Sequence, residues 1–183
     1  MKSIAIDMDE VVADTLAGYI RWHHEKTGEL IVKDKVFEAG QYFFEYMGQE
    51  RDGPIRQYLQ QRGFFRNLPV IENSQEVIRA LAKRYEIYFV TATMPFPNAF
   101  EDKYYWLLDH FSFIPLSHYV FCGDKSLIGT DYMIDDHAYN LDTFKGKGLL
   151  FHASHNVNQV GYHRVKSWLE VKAFFEKEYL EFN

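Results

Sequence analysis

Cysteine is nearly absent: Cys122 is the single one in 183 residues, which excludes an internal disulfide framework and a multi-cysteine metal site. Long apolar runs are absent too, none approaching the roughly 20 residues of a bilayer span. The apolar opening Ile4-Ala5-Ile6 is broken by Asp7 and Asp9 before the core of a cleaved leader forms. Cations are few, with 20 Lys and Arg against 26 Asp and Glu and a net charge of −6. That balance disfavours coating a nucleic-acid polymer, but it leaves room for a small anionic ligand where a metal or a few cations invert the local field. The expected setting is the reducing cytoplasm, with no membrane and no nucleic-acid partner. Oligomeric state is left open, a homodimer being one option.

Aromatic residues are plentiful, with 16 Phe and 13 Tyr, and 47% of the chain is hydrophobic. This is enough for one core and a small insertion. Ser3 to Met8 predicts a first strand ending in acid, and Val12 to Lys26 a helix stopped by Gly28. Between Gly28 and Pro69 aromatics cluster and glycines punctuate, predicting two or three short helices and no strand. Beyond Pro69 strands and helices alternate. Asn73 with Glu76, and Ser167 with Glu170, have capping-box spacing and open helices to about Arg84 and Tyr179. Glu86 to Thr91, Tyr119 to Cys122, Tyr132 to Ile134 and Gly148 to Phe151 predict strands, and Asn98 to His110 a helix. The class is α/β, a doubly wound parallel sheet, with a core at 1–16 and 74–183 and a helical cap at 17–73.

The polar residues fall at the strand ends, where such sheets bind ligands. Strand one runs into Asp7-Met8-Asp9, strand two ends at Thr91, Lys125 follows strand three, and strand four runs into Asp135-Asp136. A parallel sheet brings them to one edge. Two like charges about 4 Å apart repel by about 4 kcal/mol at an effective dielectric near 20, so the acids call for a divalent cation. Hard oxygen ligands suit Mg²⁺. A lysine and a hydroxyl at the same rim suit a phosphoryl group.

The order Asp-x-Asp, Thr, Lys, Asp-Asp resembles the haloacid dehalogenase (HAD) superfamily of phosphotransferases. Within it, Asp7-Met8-Asp9-Glu10-Val11-Val12-Ala13-Asp14, the short helical cap and Arg164-Val165-Lys166-Ser167-Trp168 most resemble the 5'(3')-deoxyribonucleotidases. The resemblance implies a Mg²⁺-dependent phosphatase of nucleoside monophosphates. Asp7 would be the nucleophile that forms an aspartyl-phosphate, and Asp9 the general acid and base. Thr91 and Lys125 would hold phosphate oxygens. The metal ligands would be Asp7, the Asp9 carbonyl and one of Asp135 and Asp136, with Asp135 favoured. Two departures stand out. Glu10 replaces the commoner Gly, which puts little in doubt, and Ala92-Thr93 replaces Ser-Pro, with Thr93 a substitute hydroxyl.

Most cap aromatics build the small cap's own core; Phe43 and Phe44 lead as residues that stack on a nucleobase. His152-x-x-His155 lacks a third ligand and reads as a surface loop pair. His137, beside the acidic pair, is open between phosphate contact and a helix start. A phosphatase of another small metabolite and a non-catalytic phosphate-binding scaffold are the alternatives. A signalling receiver domain would carry its acidic pair on the first strand and does not fit the order.

Overall fold

A computed structural model describes residues 1–181. Six strands form one parallel sheet: β1 (Ser3–Ile6), β2 (Glu86–Thr91), β3 (Tyr119–Phe121), β4 (Tyr132–Asp135), β5 (Lys147–Phe151) and β6 (His163–Val165). Their spatial order is β3-β2-β1-β4-β5-β6. Hence β1 lies between β2 (Ile6 opposite Phe89) and β4 (Ile6 opposite Ile134). The chain winds outward from β1 to β3 and then returns to the other side of β1. The strand ends at β1 and β4 therefore border the crevice where the winding reverses, the ligand position of open α/β sheets.

Alternation along the strands sorts the core. Ile4, Ile6, Ile87, Phe89 and Ile134 face α4 (Ser74–Leu81), α5 (Ala99–Phe111) and α7 (Trp168–Glu181), while Ala5, Val90, Met133 and Leu150 face a thinner layer with α6 (Ala138–Asp142). Trp168 and Trp106 are fully buried and tie this core to the site loops: Trp168 Nε1 donates to Val11 O (2.7 Å) and Trp106 Nε1 to Leu68 O (2.9 Å). Trp168→Phe leaves the Val11 carbonyl unpaired. The expected cost is about 1–3 kcal/mol, and thermal unfolding should show a Tm lower by about 2–4 °C per kcal/mol at this size.

Several predicted boundaries move. The first helix, α1 (Thr15–Thr27), starts three residues later than Val12, because Asp14 caps it by accepting from Ala17 N at 2.9 Å; Gly28 ends it at φ +76°. The segment before α1 is a tight turn, with Val12 N and Ala13 N donating to Met8 O. Asn73 is not a side-chain cap: it sits at φ +63° and makes no capping bond, and α4 stops at Leu81. Ser167 does accept from Glu170 N at 3.3 Å, but the Glu170 carboxylate reaches back to Lys166 N. The strand β6 was not expected, and the short helix α6 follows His137, one of whose two open readings was a helix start.

Between α1 and α4 lie α2 (Lys33–Ala39), α3 (Phe43–Tyr46) and two 3₁₀ turns at Pro54–Gln60 and Phe65–Asn67. Val36, Phe43 and Ile55 pack on Leu16 to form a local core, whereas Phe64, Phe65 and Leu68 join the main one. The segment entering this region and the one leaving it are laced together, Asp14 N donating to Pro69 O and Ile71 N to Val12 O, both 2.8 Å.

Candidate active site

Asp7 extends the chain just past β1, its N–H donating to Ile134 O (2.9 Å), and Asp135 closes β4. Carboxylate oxygens of Asp7, Asp135 and Asp136 lie within 4.8 Å of one another. Lys125 is buried among them, 2.8 Å from Asp7 Oδ1 and 2.6 Å from Asp135 Oδ2. Asp135 also accepts from His137 N (2.8 Å) and from Asn140 Nδ2 (3.0 and 3.1 Å). Lys125 pairs with two carboxylates of this buried acid trio, and the third, Asp136, faces two imidazoles. Burial pushes the Asp7 carboxyl up to about 8; Lys125 pulls it down, and the neighbouring carboxylates push it up again. Burial and both carboxylate partners act on Lys125 with opposite signs, and the carboxylates win, raising it.

A second group surrounds Asp9. Lys103, on α5 and 1% exposed, donates to Asp9 Oδ2, to Thr91 Oγ1 (2.9 Å) and to Ala92 O (3.1 Å). All three ammonium protons are thus directed at the end of β2 and the Asp9 carboxylate. The cation beside the Thr91 hydroxyl is Lys103, whereas Lys125 pairs with Asp7 and Asp135. Thr93 is fully buried and, like Thr91, lies outside the cavity lining.

Glu10 is less neutral than its position suggested. It holds φ +56°, a conformation that favours glycine, and its carboxylate accepts from Leu16 N. Burial raises its pKa to about 8, with Asp14 and Asp136 adding to the shift.

Asp9, Glu10, Lys103 and Asp136 border a cavity of about 230 Å³ that Tyr42, Phe44 and Arg51 also line, whereas Asp7, Thr91, Lys125 and Asp135 are buried and lie outside its lining. Phe43 also borders it, though only 3% exposed and stacked on Tyr19 at 5.5 Å. Phe44 stacks on Tyr42 at 5.3 Å.

The His152/His155 pair is not a surface pair. The 3₁₀ turn Ser154–Asn156 folds the His155 ring inward to 8% side-chain exposure, where Nε2 stands 3.2 Å from Asp136 Oδ2. His137 begins α6 and its Nδ1 lies 2.8 Å from Asp136 Oδ1. Burial lowers the His137 pKa and Asp136 more than offsets it, so the imidazole titrates near 9. Burial alone would raise Asp136, but the two imidazoles hold it well below the usual carboxylate range.

The family model for the 5' nucleotidase, deoxy (pyrimidine), cytosolic type C protein matches residues 1–178. The chain belongs to this family. Its relatives agree. A 5'(3')-deoxyribonucleotidase of Bacillus subtilis is 36% identical over 173 residues, 93% of this chain and 96% of that one. A Staphylococcus epidermidis protein named as a proposed 5'(3')-deoxyribonucleotidase is 44% identical over 174 residues, 95% and 96% of the two chains. In fold, the chain is similar to a Bacillus subtilis protein assigned as a HAD hydrolase and solved with magnesium, with a TM-score of 0.58, 13% identity and coverage of 94% and 97%. Membership places this nucleotidase-family chain among the phosphoric monoester hydrolases. Among its described residues no helix is long and apolar enough to cross a membrane.

Proposed function

We propose that this protein is a Mg²⁺-dependent 5'(3')-deoxyribonucleotidase that works through an aspartyl-phosphate on Asp7. The reading is carried by the convergence of Asp7, Asp135 and Asp136 at the point where the sheet winding reverses, with the Asp9–Lys103–Thr91 group beside them. The donor set fits the metal: three buried carboxylates with one neutralising ammonium form a hard, oxygen-only site. Asp7, the Asp9 carbonyl and Asp135 or Asp136 would hold Mg²⁺, which supplies charge neutralisation for the phosphoryl oxygens and keeps Asp7 ionised. The Asp7 carboxylate attacks phosphorus, and Asp9 gives a proton to the departing nucleoside oxygen. Asp9 then takes a proton from the water that hydrolyses the acyl phosphate, releasing phosphate and restoring Asp7. Lys103, Thr91 and Lys125 hold the phosphate charge in place.

Residues 17–73 act as a cap on a core of 1–16 and 74–183. It excludes bulk water and offers aromatic faces, Phe43 and Phe44 among them, to the nucleobase. A cavity of about 230 Å³ suits one small ligand, not a polymer. The single cysteine is in keeping with a reducing, cytoplasmic setting. The test is phosphate release across a panel of nucleoside and sugar monophosphates. Deoxyribonucleotides should lead, EDTA should remove turnover, and added Mg²⁺ should restore it. Undiminished turnover in EDTA would refute the metal assignment, and a sugar phosphate at the head of the panel would refute the substrate class.

A further inference from the structure

Asp136, His137 and His155 form a cluster whose two imidazoles the hydrolytic chemistry leaves unused. One ligand atom from each lies within 4.8 Å of the others. Asp136 Oδ2 and His155 Nε2 are both sealed from solvent, stand 3.2 Å apart and lack an aligned hydrogen-bond partner. The two atoms stand at ion-pair distance without hydrogen-bond alignment, a geometry that a metal ion held between them would satisfy. Atoms bound to a tetrahedral Zn²⁺ at about 2.0–2.1 Å stand roughly 3.3 Å from one another. The 3.2 Å from Asp136 Oδ2 to His155 Nε2 matches that spacing, while His137 Nδ1 faces the other carboxylate oxygen, Oδ1, at 2.8 Å.

The surroundings hold each imidazole in a ligating posture. His137 Nε2 lies 3.3 Å from the Tyr42 hydroxyl, which occupies that nitrogen and leaves Nδ1 for a metal, as the outer partners of metal-bound histidines do. The Tyr42 ring stacks on His155 at 4.3 Å with the planes 3° apart. Asn156 Nδ2 fixes the Asp136 carbonyl at 2.7 Å. We propose that these three residues form a second metal site, selective for a divalent transition ion, Zn²⁺ in the first instance, over Mg²⁺. Two imidazoles and one carboxylate favour borderline ions, and three protein ligands leave a fourth position for water or a phosphate oxygen. All three residues border the cavity, and Asp136 is shared with the acid trio. Zn²⁺ bound here withdraws Asp136 from the hydrolytic site and inhibits turnover.

The experiment is a calorimetric Zn²⁺ titration of the full chain in excess Mg²⁺, with Co²⁺ absorption as a second readout. The wild type should take up one Zn²⁺ with the intense visible bands of four-coordinate Co²⁺. His155→Ala, and separately the less buried His137→Ala, should each weaken Zn²⁺ by at least about tenfold and lose those bands. Asp7→Asn should keep Zn²⁺ affinity within about twofold of the wild type. Absence of a Zn²⁺ event in the wild type, or unchanged affinity in both histidine variants, would overturn the proposal. So would loss of binding in Asp7→Asn alone, which places the ion among the three carboxylates. Phosphate release with and without Zn²⁺ reads the consequence: the wild type should be inhibited, and the ratio should approach one in His155→Ala.

Discussion

Asp7→Asn is expected to cut phosphate release by about 10⁴-fold or more, the scale of losing a nucleophile, while making the metal-free protein more stable near pH 8. Both effects come from one carboxylate. Burial, partly countered by Lys125, pushes Asp7 from the ordinary 3.8 up to about 8. Between those values the folded chain binds more protons at this site than the unfolded chain. Its contribution to stability therefore falls as pH rises through that window and is lowest above about 8. Asparagine keeps the shape and removes the ionisation, although it also gives up the ion pair with Lys125, which still has Asp135. In EDTA the melting temperature of the wild type should decline more steeply from pH 6 to 8.5 than that of the variant. His137 is raised in both mainly by Asp136, with Asp7 acting on it less than Asp136 or Asp135, so its contribution differs little between the two. Parallel melting curves would show that Asp7 is not a strained carboxylate, and turnover within tenfold of the wild type would show that it is not the nucleophile.

The second large effect is at Lys103. Lys103→Met retains length and apolar stem but removes the charge from Asp9, Thr91 and Ala92 together. An arriving phosphoryl oxygen would take one of the three ammonium protons. The expected loss in kcat/KM is about 10²–10³-fold, the size seen on removing one preorganised donor to developing charge. Inhibition by inorganic phosphate should weaken in the same variant, since product and substrate share the contact. Lys103→Arg should not rescue, because a planar guanidinium fork cannot place three donors on this triangle. Full phosphate inhibition in Lys103→Met would contradict the assignment and return the phosphate to Lys125 alone.

The ends of β1, β2 and β4 were legible because each of these strands is an apolar run that breaks into Asp, Thr or Asp-Asp, and a parallel sheet leaves those ends only one edge to share. The strand β6 was not legible: His163-Arg164-Val165 is three residues long with one apolar side chain, and only its pairing with β5 makes it a strand. Lys103 lies inside a helix, where a lysine ordinarily faces water. Its signal was its place in the repeat: Ala99, Lys103, Trp106 and Leu107 occupy one buried stripe of α5. A lysine at that spacing must find carboxylate or hydroxyl partners. Asn73 carried a sound capping pattern, yet it sits in a left-handed backbone conformation and its side chain makes no capping bond. His155 was misplaced for a similar reason. Its burial depends on the turn at Ser154–Asn156 and on Asn156 bonding to both Asp136 O and Phe151 O, partners too remote for spacing to reveal.

The resemblance to the HAD phosphatases implied roles for Asp7, Asp9, Thr91, Lys125 and the Asp135/Asp136 pair. The structure arranges them as two adjoining groups, the acid trio with Lys125 and the Asp9–Thr91 pair with Lys103.

The most direct test is to trap the covalent species. Enzyme mixed with a deoxyribonucleoside monophosphate and Mg²⁺, quenched during turnover with borohydride and digested, should yield homoserine at position 7 in place of aspartate, the reduction product of an acyl phosphate. Homoserine at any other carboxylate, or none at position 7 while phosphate is being released, would contradict the account.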